Sequence, residues 1–258
     1  MKYSKDVIRA LLKDNALVLY GQPKWTFGKN TCNTYEVFAE MLLTADRGSI
    51  HAAEVIDVIE ADEELTQLFS NWFLREALKT GEYLTQKTGI PIILSMNVLG
   101  FQANLPEFYD RIAAAIGGSS LTPDMIQFEL SEAQQLTNTG IQNLNRMHDE
   151  LGVKLLLGNF GTGHSNLDLL KYLHCDGIEL AKSFARDVPE SDTACKLLVG
   201  ISHLAQTLNL TVCAKGIETA EQMEFFENID FFKGQGYLIG APMPIDELAG
   251  FIRKYAKK

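Results

Sequence analysis

Apolar residues in this chain gather into short runs bounded by Gly, Pro, Asp and Asn, with longer stretches of helical periodicity between them. The short runs predict strands over residues 16–22, 34–41, 92–98, 125–131, 153–159, 177–181, 211–215 and 236–239. The intervening patterns predict helices over residues 53–87, as two segments, then 105–116, 141–151, 165–173, 192–208, 219–227 and 245–255. From Ile92 onward strand and helix alternate, which implies parallel strands joined by right-handed crossovers. The first two strands are separated only by residues 23–33, which contain Gly28 and read as a hairpin. The expectation is therefore an α/β fold, a (β/α)8 barrel with an antiparallel strand at its start. In such a barrel, polar residues at the C-terminal strand ends face the mouth. Those residues are Asn97, Glu129, Gly158 with Asn159, Glu179, Lys215 and Gln235.

A chain of 258 residues with 46% hydrophobic and 22% charged positions can bury a large core, and residues 1–258 are expected to form a single barrel domain. Four cysteines, Cys32, Cys175, Cys195 and Cys213, show no CxxC pair. Residues 1–13 do not combine a basic start, an apolar run and a cleavage site. A reduced, cytoplasmic setting is expected. No apolar run approaches the roughly 20 residues that span a bilayer, so no membrane association is expected. The formal charge of −10, with basic clustering confined to the tail from Lys254 to Lys258, argues against binding a nucleic acid polymer.

Six segments carry more specific information: Tyr35-Glu36-Val37-Phe38, Met96-Asn97-Val98, Phe128-Glu129-Leu130-Ser131-Glu132, Asn159-Phe160-Gly161-Thr162-Gly163, Ala214-Lys215-Gly216-Ile217-Glu218-Thr219 and Gly234-Gln235-Gly236-Tyr237-Leu238. In this order they resemble the motif set of the EAL family of cyclic-di-GMP phosphodiesterases, over residues 16–252. The resemblance implies a modified TIM-like barrel with one reversed strand. It also implies two Mg²⁺ or Mn²⁺ ions that activate water for attack on cyclic di-GMP, yielding pGpG.

The resemblance places the family's metal-facing Glu, Asn and Glu on Glu36, Asn97 and Glu129. Its paired aspartates fall on Gly158 and Asn159, its Lys on Glu179 and its next Glu on Lys215. Hard divalent ions need several anionic oxygens, and this set retains three carboxylates facing one ammonium. No catalytic set is intact, and no cofactor is expected. If the residual set Glu36, Asn97 and Glu129 holds an ion, that ion is Mg²⁺ or Mn²⁺. Equally, these three are polar groups at a wet barrel mouth. Ligand-binding positions implied by the resemblance are Gln22, Phe38 and Gln235. Glu132 and Glu218 are the implied loop-organising residues. Glu40 stands where the family carries an Arg that meets phosphate, which opposes an anionic dinucleotide and favours a protein partner.

Function is thus expected to be that of a degenerate, non-hydrolysing EAL domain, acting as a cyclic-di-GMP receptor or a protein-interaction adaptor. The competing expectation is a weakly active metal-dependent phosphodiesterase. The resemblance implies a weak homodimer through the loop and helix after the fifth strand, a surface organised by Gly161-Thr162-Gly163 and Glu132. Glu179 and Lys215 exchange the family's two charges on consecutive strands, so an ion pair between them is expected. Trp25, Phe27 and Phe38 form either a base-stacking surface or ordinary packing. The glycine pairs Gly161/Gly163 and Gly234/Gly236 mark tight turns and do not continue as a dinucleotide fingerprint. The five histidines show no HxxxH or HxH spacing, so no histidine metal site is expected.

Overall fold

The structure is a computed structural model that describes residues 3–13, 16–42, 49–51, 55–131, 136–162 and 167–255. Helix α1 (Lys5–Lys13) leads into β1 (Leu17–Thr26), β2 (Thr31–Leu42) and the short β3 (Ser49–His51). Helices α2 (Ile56–Glu60) and α3 (Glu63–Thr88) precede β4 (Ile93–Val98). Next come α4 (Gly100–Ala103), α5 (Phe108–Gly117), β5 (Ile126–Ser131) and α6 (Asn138–Arg146), which runs into a π turn at Met147–Leu151. Strands β6 (Lys154–Phe160) and β7 (Gly177–Leu180) follow, then α7 (Asp192–Thr207), β8 (Thr211–Lys215), α8 (Ala220–Asn228), β9 (Lys233–Gln235), β10 (Met243–Pro244) and α9 (Ile245–Tyr255).

Strands pair in the order β1-β2-β4-β5-β6-β7-β8-β9 and close back onto β1, giving an eight-stranded barrel. Pairs from β2–β4 to β8–β9 are parallel, whereas β1 is antiparallel to both of its neighbours. The expected barrel with one reversed strand is the observed fold. Helices wrap the outside, and their contacts with the outward strand faces form the core around residues such as Leu94, Met96, Phe128 and Leu155. Local chemistry sets the helix ends. Asp62 caps α3 by accepting from the Leu65 amide, and Gly89 ends it at φ 69, a left-handed conformation that glycine adopts without steric cost. Among the described residues, no helix is long and apolar enough to cross a membrane.

Three expectations are corrected. The last barrel strand is Lys233–Gln235, and the expected strand over 236–239 is a turn. At Gly236 a Cβ would lie 2.0 Å from the Ile217 carbonyl, so the chain turns where two backbones pass closely. The expected helix over 165–173 reduces, among its described residues, to a 3-10 turn at Leu169–Lys171. The first hairpin is longer than expected. β1 continues through Pro23 to Thr26, and the turn occupies residues 27–30, because Gly28 at φ 68 and Asn30 at φ 50 take the left-handed positions.

Candidate functional site

Extending β1 to Thr26 brings a residue into the barrel that the sequence reading had assigned to a loop. Strand alternation puts Gln22, Lys24 and Thr26 in one row, and register pairs Gln22 with Glu36 and Lys24 with Thr34. Lys24 has a fully buried side chain, an arrangement that stands only when the ammonium is paired. Its Nζ donates to Glu129 Oε1 and, at 2.6 Å, to Glu179 Oε1. Above it, Lys215 Nζ reaches Glu36 at 3.0 Å, Glu129 at 3.2 Å and Glu179 at 2.6 Å. The expected Glu179–Lys215 pair therefore forms, as one edge of a five-residue network.

The network leaves no carboxylate oxygen without a donor. Glu36 Oε1 accepts from Asn97 at 2.7 Å, and its Oε2 accepts from Gln235 at 3.0 Å as well as facing Lys215. Glu129 Oε1 also accepts from Ser95, whose hydroxyl in turn accepts from Gln127 at 2.7 Å. Charge sets the protonation behaviour. Burial alone would lower the Lys24 and Lys215 ammoniums, yet the surrounding carboxylates outweigh it and hold both well above their ordinary range. Burial pushes Glu129 up, and the two lysines overcome it and hold that carboxylate well below its usual range. Glu36 is lowered in the same way, against burial and Glu129, by Lys215 and Lys24. Three carboxylates face two ammoniums, and the excess falls on Glu179, pushed up to about 7 by burial and by Glu129.

A third lysine lies lower in the barrel. Lys233, at the start of β9, is buried and donates to Thr34 Oγ1 at 2.7 Å. Burial pushes its pKa down to about 8. The interior thus carries a column of charge where barrels of this architecture usually stack branched aliphatic side chains.

Above the network opens a cavity of about 680 Å³ whose wall includes Gln22, Glu36, Phe38, Asn97, Asn159 and Lys215. Phe38 stacks against Tyr20 with centroids 6.3 Å apart. Trp25 instead packs edge-on against Tyr255, and Phe27 belongs to the core. Neither lines the cavity. Glu40 lies outside the cavity wall too. Gly158 is buried with no side chain to offer, and Asn159 is exposed at φ 50. Gln235 is buried beneath Glu36 and is not part of the cavity wall. Glu218 is exposed, and its amide donates to Gln222, the residue that completes the α8 capping box with Thr219. Glu132, Gly163 and His164 lie outside the described residues, as do residues 163–166 of the loop expected to help pair two copies.

Sequence reasoning missed Lys24, Lys233, Ser95 and Gln127. The alternation Gln22, Lys24, Thr26 was the signal for Lys24, obscured by Pro23. At the opposite rim, His148 and His174 come within 6.4 Å of each other, ring to ring, although no local spacing announces them.

The EAL domain family matches residues 5–242. The cyclic di-GMP phosphodiesterase NbdA of Pseudomonas aeruginosa is 28% identical over 253 residues, which are 97% of this chain and 32% of that protein. The cyclic di-GMP phosphodiesterase PdeR of Escherichia coli is 25% identical over 252 residues, 97% of this chain and 38% of that protein. The chain spans about a third of the length of these curated relatives. Among solved structures, EAL enzyme Bd1971 in its cAMP- and cyclic-di-GMP-bound form superposes with a TM-score of 0.89 at 22% identity, over 96% of this chain and 67% of that one. The PaMucR phosphodiesterase in complex with c-di-GMP superposes with a TM-score of 0.85 at 25% identity, over 94% of this chain and 98% of that one. With the motif order, the closed barrel and its reversed strand in agreement, this chain belongs to the EAL domain family.

Proposed function

We propose that this chain is a non-hydrolysing EAL domain of cyclic-di-GMP signalling, a binding module whose mouth is closed to metal by its own lysines. The observation that carries the proposal is the Lys215 ammonium, held against Glu36, Glu129 and Glu179 at 3.0, 3.2 and 2.6 Å. Two divalent ions bring four positive charges and require free anionic oxygens. Here the oxygens of those three glutamates already accept from Lys24, Lys215, Ser95, Asn97 and Gln235. Gly158 and Asn159 add no anionic oxygen. The residues present do not fit a two-metal centre, and no hydrolytic step is assigned to them.

Binding is favoured over loss of all function because the cavity persists. Its volume of about 680 Å³ is within the range of ligand pockets, and Phe38 on its wall is suited to stacking on a base. Cyclic di-GMP is the ligand the relatives suggest, and the position of Glu40 outside the cavity wall removes one objection to an anionic guest. Calorimetric titration with cyclic di-GMP, with and without Mg²⁺, tests the reading together with chromatography for pGpG. The expected outcome is binding that does not depend on Mg²⁺ and no product. Turnover at about 1 s⁻¹ or faster overturns it. Absence of both binding and turnover transfers the proposal to a protein partner.

A further inference from the structure

The rim opposite the mouth, where β6 and β7 begin, holds a cluster unrelated to the barrel's charge network. The π turn after α6 carries His148 and Asp149, and the segment entering β7 carries His174 and Asp176. Single π turns in a helix often mark functional positions, and here the extra residue sets His148 and Asp149 on the surface facing His174. Asp149 bridges the two imidazoles, with Oδ1 at 2.8 Å from His148 Nδ1 and Oδ2 at 2.7 Å from His174 Nδ1. One ligand atom from each of the three residues lies within 4.8 Å of the other two.

We propose that His148, Asp149 and His174 form a binding site for a borderline divalent transition metal such as Zn²⁺ or Co²⁺, with the remaining coordination position taken by water. Two imidazole nitrogens and one carboxylate oxygen are the donor set such ions prefer. Bonds of about 2.0–2.1 Å in a tetrahedron set donors about 3.3 Å apart, so the side chains close by at most roughly 1.5 Å. His174 is 56% and Asp149 48% exposed, which leaves them free to turn.

The surroundings are those of a built site. Asp176 lies 3.5 Å from His148 Nε2, the ring nitrogen that does not face Asp149. A metal ligand histidine generally presents its second ring N–H to a carboxylate, which fixes the tautomer and the ring plane. When Nδ1 takes the metal, the ring proton of His148 resides on Nε2, and Asp176 receives its hydrogen bond. Asp176 is itself anchored by Lys154 at 2.8 Å and by the Leu155 amide at 2.9 Å. On the other side, Asn145 accepts from the His174 amide and donates to the Tyr172 carbonyl, each at 2.9 Å, tying that segment to α6. A bound ion would clasp the end of α6 to the segment entering β7.

Titration of the purified chain with Co²⁺, read by visible absorption, tests the site. The expected result is one equivalent bound with the d–d bands of a nitrogen- and oxygen-ligated ion, displaced by Zn²⁺, and a melting temperature raised by roughly 5–10 °C at about 100 times Kd. His148→Ala and His174→Ala should each weaken binding by more than about 100-fold, beyond what loss of an outer partner costs. His203→Ala, an exposed histidine on α7, should bind like the parent. Circular dichroism confirms that each variant folds. Unchanged binding in His174→Ala, an intense thiolate-to-metal band, or no stoichiometric binding overturns the proposal.

Discussion

The upper and lower parts of the barrel interior each bury a lysine, and the two ammoniums are driven in opposite directions. Lys24 meets Glu129 and Glu179, and these raise its pKa despite the burial that opposes them. Lys233 donates to the hydroxyl of Thr34, and burial pushes it down to about 8. The backbone environment is the same in kind: inward positions on neighbouring strands of one closed sheet. What differs is the acceptor each ammonium donates to, carboxylates for Lys24 and a hydroxyl for Lys233. The difference teaches that the mouth is occupied by complementary charge, and is not merely an acidic site that has lost some ligands.

Removing the upper cation gives the largest expected effect. Lys24→Met leaves Glu129 and Glu179 buried with one ammonium fewer, and breaking a buried pair from one side costs about 3–5 kcal/mol. Urea unfolding should report this loss, and adding Glu179→Gln to Lys24→Met should recover part of it. A Lys24→Met variant within about 1 kcal/mol of the parent would break the comparison.

Reversing the cation at the mouth tests whether charge is what excludes metal. Lys215→Glu places a fourth carboxylate beside Glu36, Glu129 and Glu179 and should lower stability by about 3 kcal/mol, less than Lys24→Met because the Lys215 side chain is 21% exposed. Added Mn²⁺ should then raise the melting temperature of the variant far more than that of the parent, because the ion binds the folded state alone. Equal metal responses in the two proteins would refute the exclusion of metal by the Lys215 ammonium.

The lower lysine predicts a pH dependence of definite sign. Between pH 8 and about 10.4 the unfolded chain holds a proton on Lys233 that the folded chain has released, so its contribution to stability rises with pH across that window. Buried thiols work against it. Cys32, pushed up to about 12 by burial, and Cys175, pushed up to about 11, lose stability over the same range, so the whole-protein curve falls. The informative quantity is the difference from Lys233→Met. That variant should be the more stable at pH 7, and its advantage should shrink by on the order of 2 kcal/mol by pH 10.4. Cys213, Lys24, Glu129 and Cys32 face Lys233 in both proteins, so they largely cancel. A gap independent of pH would remove the contrast between the two lysines.

The smallest effect lies outside the barrel interior, at its far rim. Lys154→Met removes one of the two anchors of Asp176, the carboxylate behind His148, and should weaken Co²⁺ binding about tenfold while leaving stability without metal within about 0.5 kcal/mol. Calorimetry on the variant measures both.

The sequence alone determined the alternation of strand and helix, the reversed first strand and the family, because strand period and motif order are local properties that survive without coordinates. It also placed Glu179 and Lys215 on adjacent strands, and their 2.6 Å pair follows from that adjacency. It did not place Lys24, because proline is a strand-ending signal, yet β1 continues through Pro23, which lies between the pairing with β10 at Tyr20–Gly21 and that with β9 at Trp25–Thr26. Tertiary structure alone decided that a lysine from β1 would reach glutamates 105 and 155 residues away, and that Lys233 would hydrogen-bond to the Thr34 hydroxyl instead. His148 and His174 likewise come together only through the fold, since β6 and its connection to β7 separate them along the chain. Ion pairing and ligation depend on distance in space, and in a closed barrel the nearest partners across the axis are remote along the chain.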